Sequence, residues 1–352
     1  MFYAGFGCLS AIGADAEMTF SAIDAGISGY RESDFTCADK SLAITAHIND
    51  DIFSQFALDT DYTGPYTAKM DRCSKAILYA LNDILPKLPD GASLPLIWLE
   101  EEPHPSRQPI PQEFLKDQLD YFDVPIDLSR IHRVAMGRAG GIAALTLADK
   151  MMHQAGQDYV LIGGAECPFH TPWLEYLDGK NRLKREGSKD GFAPGEATAF
   201  LLLSRTQEAV TQQALPVIQV HLPGLAESPA HWYNETANTG ETLHQTFVTA
   251  LENAGLMLEA GSRKVDLIHS SMNGESFWGK EYGVAITRLS DRFTDNHQLL
   301  HPFEFTGDLG CVSGIFLIAA AADRMIKQQS RTALAYASSD NAWRAATCLQ
   351  LR

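Results

Sequence analysis

Short apolar runs alternate along this chain with longer stretches of helical spacing. Leu94–Leu99 is apolar at every position, which suits a strand buried on both faces. Residues 43–48, 159–162, 197–203, 217–220, 265–269 and 333–337 read as further strands, with 133–136 as a short candidate. Apolar positions recur with helical periodicity over 66–85, 139–154, 241–254, 280–289 and 310–326. Strands interleaved with helices argue for α/β layers. Residues 100–111 interrupt the pattern with proline and charge and form a loop.

One pattern occurs twice. Gly141-Ile142 opens an Ala-rich apolar helix that ends in Asp149-Lys150-Met151, and Gly314-Ile315 opens another that ends in Asp323-Arg324-Met325. Nine residues after Lys150 and nine after Arg324, an apolar strand begins. Helices this apolar lie between layers rather than on a surface. The repeat fits an internal duplication; Ala-rich helices are common enough that chance also produces one such match.

The length of 352 residues allows one large α/β domain or two ordinary ones. A formal charge of −16 argues against a general basic surface for nucleic acid or anionic membrane. The six cysteines are scattered without a CxxC pair, so neither a zinc site nor a disulfide framework is expected, and reduced thiols in the cytoplasm are the simplest reading. No basic leader region precedes the first apolar residues. The longest apolar run, 309–322, falls short of the roughly 20 residues of a membrane span. No cofactor motif is present. Gly274 to Lys280 has phosphate-loop spacing, but Glu281 stands where a magnesium-binding Ser or Thr belongs.

Several motifs resemble the ketosynthase branch of the thiolase-like superfamily. Tyr159-Val-Leu-Ile-Gly163-Gly164-Ala165-Glu166 looks like that family's strand ending in Gly-Gly-x-Glu, and Asp190-Gly191-Phe192-Ala193-Pro194-Gly195-Glu196 resembles its Asp-Gly-Phe segment. The opening Ala4-Gly5-Phe6-Gly7, the helix from Met18 and the turn Thr306-Gly307-Asp308 are similar to further family elements. The resemblance implies an α/β, thiolase-like five-layer αβαβα fold from two duplicated halves, divided here as 1–205 and 206–352, and by analogy a dimer.

The resemblance also fixes what the chemistry needs. A condensing enzyme carries a cysteine thiolate at a helix N-terminus and two histidines that stabilise an enolate oxygen. Counting back from Gly163-Gly164, the nucleophile position falls at Arg138 or Ala139, and neither side chain forms a thioester. The loop expected to hold the first histidine, 271–279, contains Asn273 and no histidine; His269 falls in the preceding strand. The second histidine aligns with Asp308, and the family's lysine with Phe303 or Glu304. The glycine-rich loop near the C-terminus is replaced by Ser338-Ser339-Asp340-Asn341-Ala342-Trp343. Arg138 and Asp308 form a buried ion pair in the old site, or are two unrelated groups that meet water. Cys311, in the second Gly-rich turn, is an alternative nucleophile or a small buried residue, and Cys167 beside His170 reads as a loop cysteine.

These positions imply a pseudoenzyme that acts through a protein partner, with no cofactor and no metal. The stretches 174–184 and 95–103 are similar to short ketosynthase-like proteins found with bacterial type VI secretion effectors, which implies an accessory or adaptor role. The alternatives are a chain-length-factor-like subunit that pairs with an active ketosynthase, or an acyltransferase with a relocated nucleophile. Loops 100–111 and 223–238, the latter with His231, Trp232 and Tyr233, are candidate binding surfaces or partly buried covers.

Overall fold

Alternation along each strand sends neighbouring side chains into different layers. In the computed structural model, which describes residues 1–54, 62–89, 91, 93–211, 216–234, 236–257 and 263–352, all of Leu94–Leu99 is buried. Ile97 and Leu99 join a central apolar cluster, whereas Leu96 and Trp98 join an outer one. Ala333, Ala335 and Ala337 likewise face the centre, and Leu334 and Tyr336 face outward. A period of two in a doubly covered sheet produces this division.

The described strands are β1 (Phe2–Ser10), β2 (Arg31–Thr36), β3 (Leu42–Thr45), β4 (Leu94–Leu99), β5 (Ile126–Val134), β6 (Tyr159–Glu166), β7 (Ala197–Ser204), β8 (Ile218–Val220), β9 (Gly224–Glu227), β10 (Val265–Ser270), β11 (Phe293–Leu300), β12 (Thr332–Ser338) and β13 (Trp343–Leu351). The first half has the order β5-β4-β6-β7-β1, with β4 parallel to β5 and β6 and the other pairs antiparallel. The second half repeats it: β11-β10-β12-β13, then β8 and β9 end to end along the other edge of β13, with β10 parallel to β11 and β12. One pairing, Phe2 opposite Gln219, joins the halves into an 11-stranded sheet.

Two apolar helices, Gly140–His153 and Ser313–Gln328, fill the centre between the two sheet halves. They touch where the sequence repeats. A Cβ on Gly141 would lie 2.6 Å from the Ile315 nitrogen, and one on Gly314 would lie 2.6 Å from the Ile142 nitrogen. Only glycine permits that reciprocal approach. The Ala68–Ile84 helix, capped by Thr67 Oγ1 accepting from the Met70 N–H, covers the outside of the first half. Glu241–Asn253 and Ser276–Thr287 cover the second. The layers are therefore helix, sheet, helix, sheet, helix.

Several elements differ from the sequence reading. The strand expected at 133–136 is the end of the nine-residue β5. The strand expected at 43–48 is β3, which pairs with β2 in a separate two-stranded ribbon. The helix expected at 280–289 begins at Ser276 and shortens the preceding loop, and a 3-10 turn, Gly310–Val312, precedes the last central helix. Strand β13 was not anticipated, because buried Arg344, Thr347 and Gln350 break its apolar pattern. Loop 223–238 holds β9, and its residue 235 lies outside the described residues. No helix among the described residues is long and apolar enough to cross a membrane.

Candidate functional site

Arg138 and Ala139, the residues that the sequence reading aligns with a nucleophile, lie in a 3-10 turn, Gly137–Ala139, that opens the Gly140–His153 helix. Gly137 has φ +55°, and its α-carbon faces Glu102 so closely that a Cβ would collide with that carboxylate. The turn aims Arg138 at the second half of the molecule. Arg138 is 5% exposed. Its Nη1 donates to Asp308 Oδ2 at 2.6 Å, its Nη2 donates to Asp340 Oδ1, and its Nε donates to the Ser338 carbonyl at 2.7 Å. Asn273 Nδ2 donates to the same Asp308 oxygen at 2.7 Å. Arg138, Asn273 and Asp308 thus meet at a single carboxylate oxygen. Ala139 contributes its backbone N–H, which donates to Ser339 Oγ at 2.9 Å.

A second arginine extends the network. Arg182 is fully buried, grips Glu275 through Nε and Nη2 at 2.7 and 2.8 Å, and reaches Asp340 Oδ2 at 2.6 Å. Glu275 is the N-cap of the Ser276–Thr287 helix, a position where the helix dipole favours an anion. Trp232 lies over the Arg182 guanidinium at 4.1 Å, and Trp278 lies 4.7 Å from that of Arg138. Burial works against the Arg138 charge, but Asp308, Asp340 and Glu102 more than offset it and raise its pKa. Burial likewise opposes ionisation of Asp340, and Arg138 and Arg182 outweigh it, holding that carboxyl well below the usual range. Among the described residues Glu102 has no such guanidinium contact: burial and the neighbouring Asp340 push it up to about 7, although it accepts the backbone N–H groups of Asp340 and Asn341.

The loop 100–111 folds over this cluster. Arg107 binds Glu166 at 2.6 Å and Glu101 at 3.2 Å, with its guanidinium 3.8 Å from the Trp173 ring. His104 packs against Tyr176 at 4.2 Å and stacks with Tyr233 at 5.8 Å. The aromatics of both candidate loops therefore close the site: Trp232 and Tyr233 face Arg182 and His104. The remaining cavity, between Arg138, Glu102, Arg107 and Cys311, measures about 30 Å³. That is room for roughly two water molecules, far below the needs of an acyl chain.

The other candidates lie apart or are held neutral. Cys311 is buried, its N–H donates to Glu166 at 2.9 Å, and burial together with Glu166 pushes its thiol far up. Cys167 is also pushed far up, by a hydrogen bond with Cys73 and by burial, and its Sγ donates to Glu196 at 2.7 Å. His170 turns away from it, with Nε2 2.7 Å from the Ser106 carbonyl. His269 and Glu304 line a different cavity beside the Ala16–Asp24 helix and are not part of the Arg138 cluster. Glu304 is exposed there, because the short Phe303–Thr306 helix turns it away from Asp308. Glu102, Arg182, Glu275, Trp278 and Asp340 complete the site. The four charged residues sit in loops that read as solvated from sequence, with no local pattern to mark them as buried, and Trp278 lies in the first turn of the Ser276–Thr287 helix.

No protein-family model matches this sequence, and neither does any curated protein. The fold has close counterparts among solved structures. Over its whole length the chain is similar to the ishigamide ketosynthase/chain length factor, with TM-score 0.77, 15% identity and 98% of that chain covered. It is similar to the ketosynthase ApeO in complex with its chain length factor ApeC from Xenorhabdus doucetiae, with TM-score 0.74, 13% identity and 98% coverage. It also resembles a beta-ketoacyl synthase from Burkholderia phymatum STM815, with TM-score 0.71, 15% identity and 99% coverage. The class is thereby defined: this is a thiolase-like α/β fold. Its form is that of the ketosynthases, present over the full chain.

Proposed function

We propose that this chain is a non-catalytic, chain-length-factor-like subunit that works through a protein partner carrying an intact condensing site. The observation that carries the reading is Arg138 at the nucleophile position, locked by Asp308 and Asp340 in a cavity of about 30 Å³. A guanidinium forms no thioester, and the carboxylate of Asp308 opposes an enolate rather than stabilising it. Two of the similar structures pair a ketosynthase with a chain length factor, which favours this partner over the secretion-effector adaptor. The strand β5 ends the sheet at the first half and offers unpaired backbone groups to such a partner. Division after residue 205 and a cytoplasmic location belong to the same reading.

The test is co-expression with a candidate ketosynthase and its acyl carrier protein, followed by purification and acyl-thioester labelling. The expected result is a heterodimer in which only the partner's cysteine is acylated. A secretion effector recovered in place of the ketosynthase returns the adaptor reading. Stoichiometric acylation of this chain at Cys311 overturns the non-catalytic assignment.

A further inference from the structure

Loop 100–111 runs from the end of β4 over the plugged centre, and its two ends are tied differently. The far end belongs to the first half: Lys69 Nζ donates to the Gln108 carbonyl at 2.7 Å, and Arg133 Nη2 donates to the Ile110 carbonyl at 2.7 Å. The near end crosses to the second half. Glu102 Oε1 accepts the Asp340 N–H at 2.9 Å, and Oε2 accepts the Asn341 N–H at 3.1 Å. Among the described residues these two hydrogen bonds are the loop's polar ties to that half, beside the stacking of His104 on Tyr233.

The charges beneath the loop are unevenly matched. The residual cavity is lined by Glu101, Glu102, Glu166, Asp308 and Asp340. Lys69 and Arg107 bind Glu101, Arg107 also binds Glu166, Arg138 binds Asp308, and Arg138 and Arg182 bind Asp340. Glu102 alone of these carboxylates has no such ion pair among the described residues. It is buried, and Gly137 packs so closely beneath it that its charge has no room to retreat from Asp340 inside the cavity. A carboxylate confined beside a like charge favours its neutral form.

The groups facing Glu102 are Glu101, His104 and Arg107 of its own loop, Arg138 from the turn below, Asp340 from the second half, and Tyr233 above. Burial and Asp340 raise Glu102 to about 7, with Arg138 and Arg107 offsetting only part of the rise. Burial and Arg107 hold His104 below its usual range, so it titrates on the acid side of Glu102. Burial, Asp340 and Glu102 push Tyr233 far up, so it stays neutral.

We infer that Glu102 is a proton-operated latch: while protonated it fastens loop 100–111 to the 338–343 loop of the second half, and on losing its proton it lets the near end of the loop lift from the plugged centre. The latch depends on the packing of the two halves, so it stands whether or not the partner reading above holds. The sign follows from linkage. A carboxyl at about 7 when latched and 4.5 when free holds the loop fully below 4.5 and loses its hold as pH rises through 7.

The test is amide hydrogen exchange on the full chain at pH 6 and pH 8, each corrected for the intrinsic rate of a free amide and repeated in low urea. The Asp340 and Asn341 amides are expected to exchange faster than those of β7, to lose protection by about tenfold between the two pH values, and to respond little to urea. Glu102→Ala should show low protection at both pH values and no step; Glu102→Gln serves if the alanine variant does not fold, as judged by melting. The inference is overturned by a native protein without the step, by a step that survives in the variant, or by residues 340–341 and β7 sharing one protection level and one urea dependence, since release would then require unfolding of the whole chain.

Discussion

Two turns occupy matching places in the two halves and carry opposite chemistry. Gly137–Ala139 and Gly310–Val312 each open a central helix, and each begins with a glycine at positive φ, +55° and +47°. In both, a carboxylate fills the space that a Cβ would need: Glu102 at Gly137 and Glu166 at Gly310. Three residues before the touching glycines, the first turn has Arg138 and the second has Cys311. The Arg138 side chain crosses to Asp308 and Asp340 and stays charged. Cys311 meets Glu166, whose charge is already taken by Arg107, and stays a neutral thiol. The backbone turn is shared; the loops facing it decide which side chain and which charge it holds.

The largest break in this comparison comes from Arg182→Leu or Arg138→Met. Each leaves buried carboxylates uncompensated and is expected to cost about 3–5 kcal/mol, measured by urea denaturation. Adding Asp308→Asn to Arg138→Met recovers part of that loss, and a double-mutant cycle showing purely additive costs would remove the coupling from the account.

A pH series sharpens the contrast next. Glu102 is raised from an ordinary 4.5 to about 7. Its contribution to stability is complete below about 4.5 and is lost as pH rises through about 7. The advantage of the native protein over Glu102→Gln should therefore shrink between pH 5 and 8, by on the order of 1–3 kcal/mol. Asp340 is shifted the other way and loses its contribution in acid, below that window. Melting curves at fixed ionic strength read the difference; a gap that widens with pH contradicts the placement of Glu102.

On the second turn, Cys311→Ala is expected to cost less, about 1–2 kcal/mol. The native thiol should resist iodoacetamide at pH 8 until the protein is unfolded. Rapid labelling of the folded chain would show a thiolate there. The smallest effect belongs to the exposed Arg288–Glu241 pair: Arg288→Ala should change stability by less than about 0.5 kcal/mol.

The sequence made the layers legible because strands covered on both faces must be apolar throughout. Leu94–Leu99 and 197–203 are therefore visible without coordinates. The repeated Gly-Ile helix starts also marked the point where the central helices touch. Strand β13 escaped because three of its buried residues are polar and find partners only in the fold: Arg344 on Glu281, Thr347 on the His221 carbonyl, and Gln350 on His221 and the Ala254 carbonyl. Motif spacing brought Arg138, Asn273 and Asp308 into one discussion, but it also placed Glu304 with them, and the short helix after β11 carries that residue to the other cavity.

By itself, the sequence determined the order of apolar layers and the residue types at the helix start, since periodicity and identity are local properties of the chain. Only the tertiary structure decided that Arg138 and Arg182 share Asp340, that Glu102 is left without a guanidinium of its own among the described residues, and that His269 is buried apart from the Arg138 cluster. The energy of a buried charge depends on which distant groups surround it at a few ångströms, and that arrangement exists only once the two halves have packed.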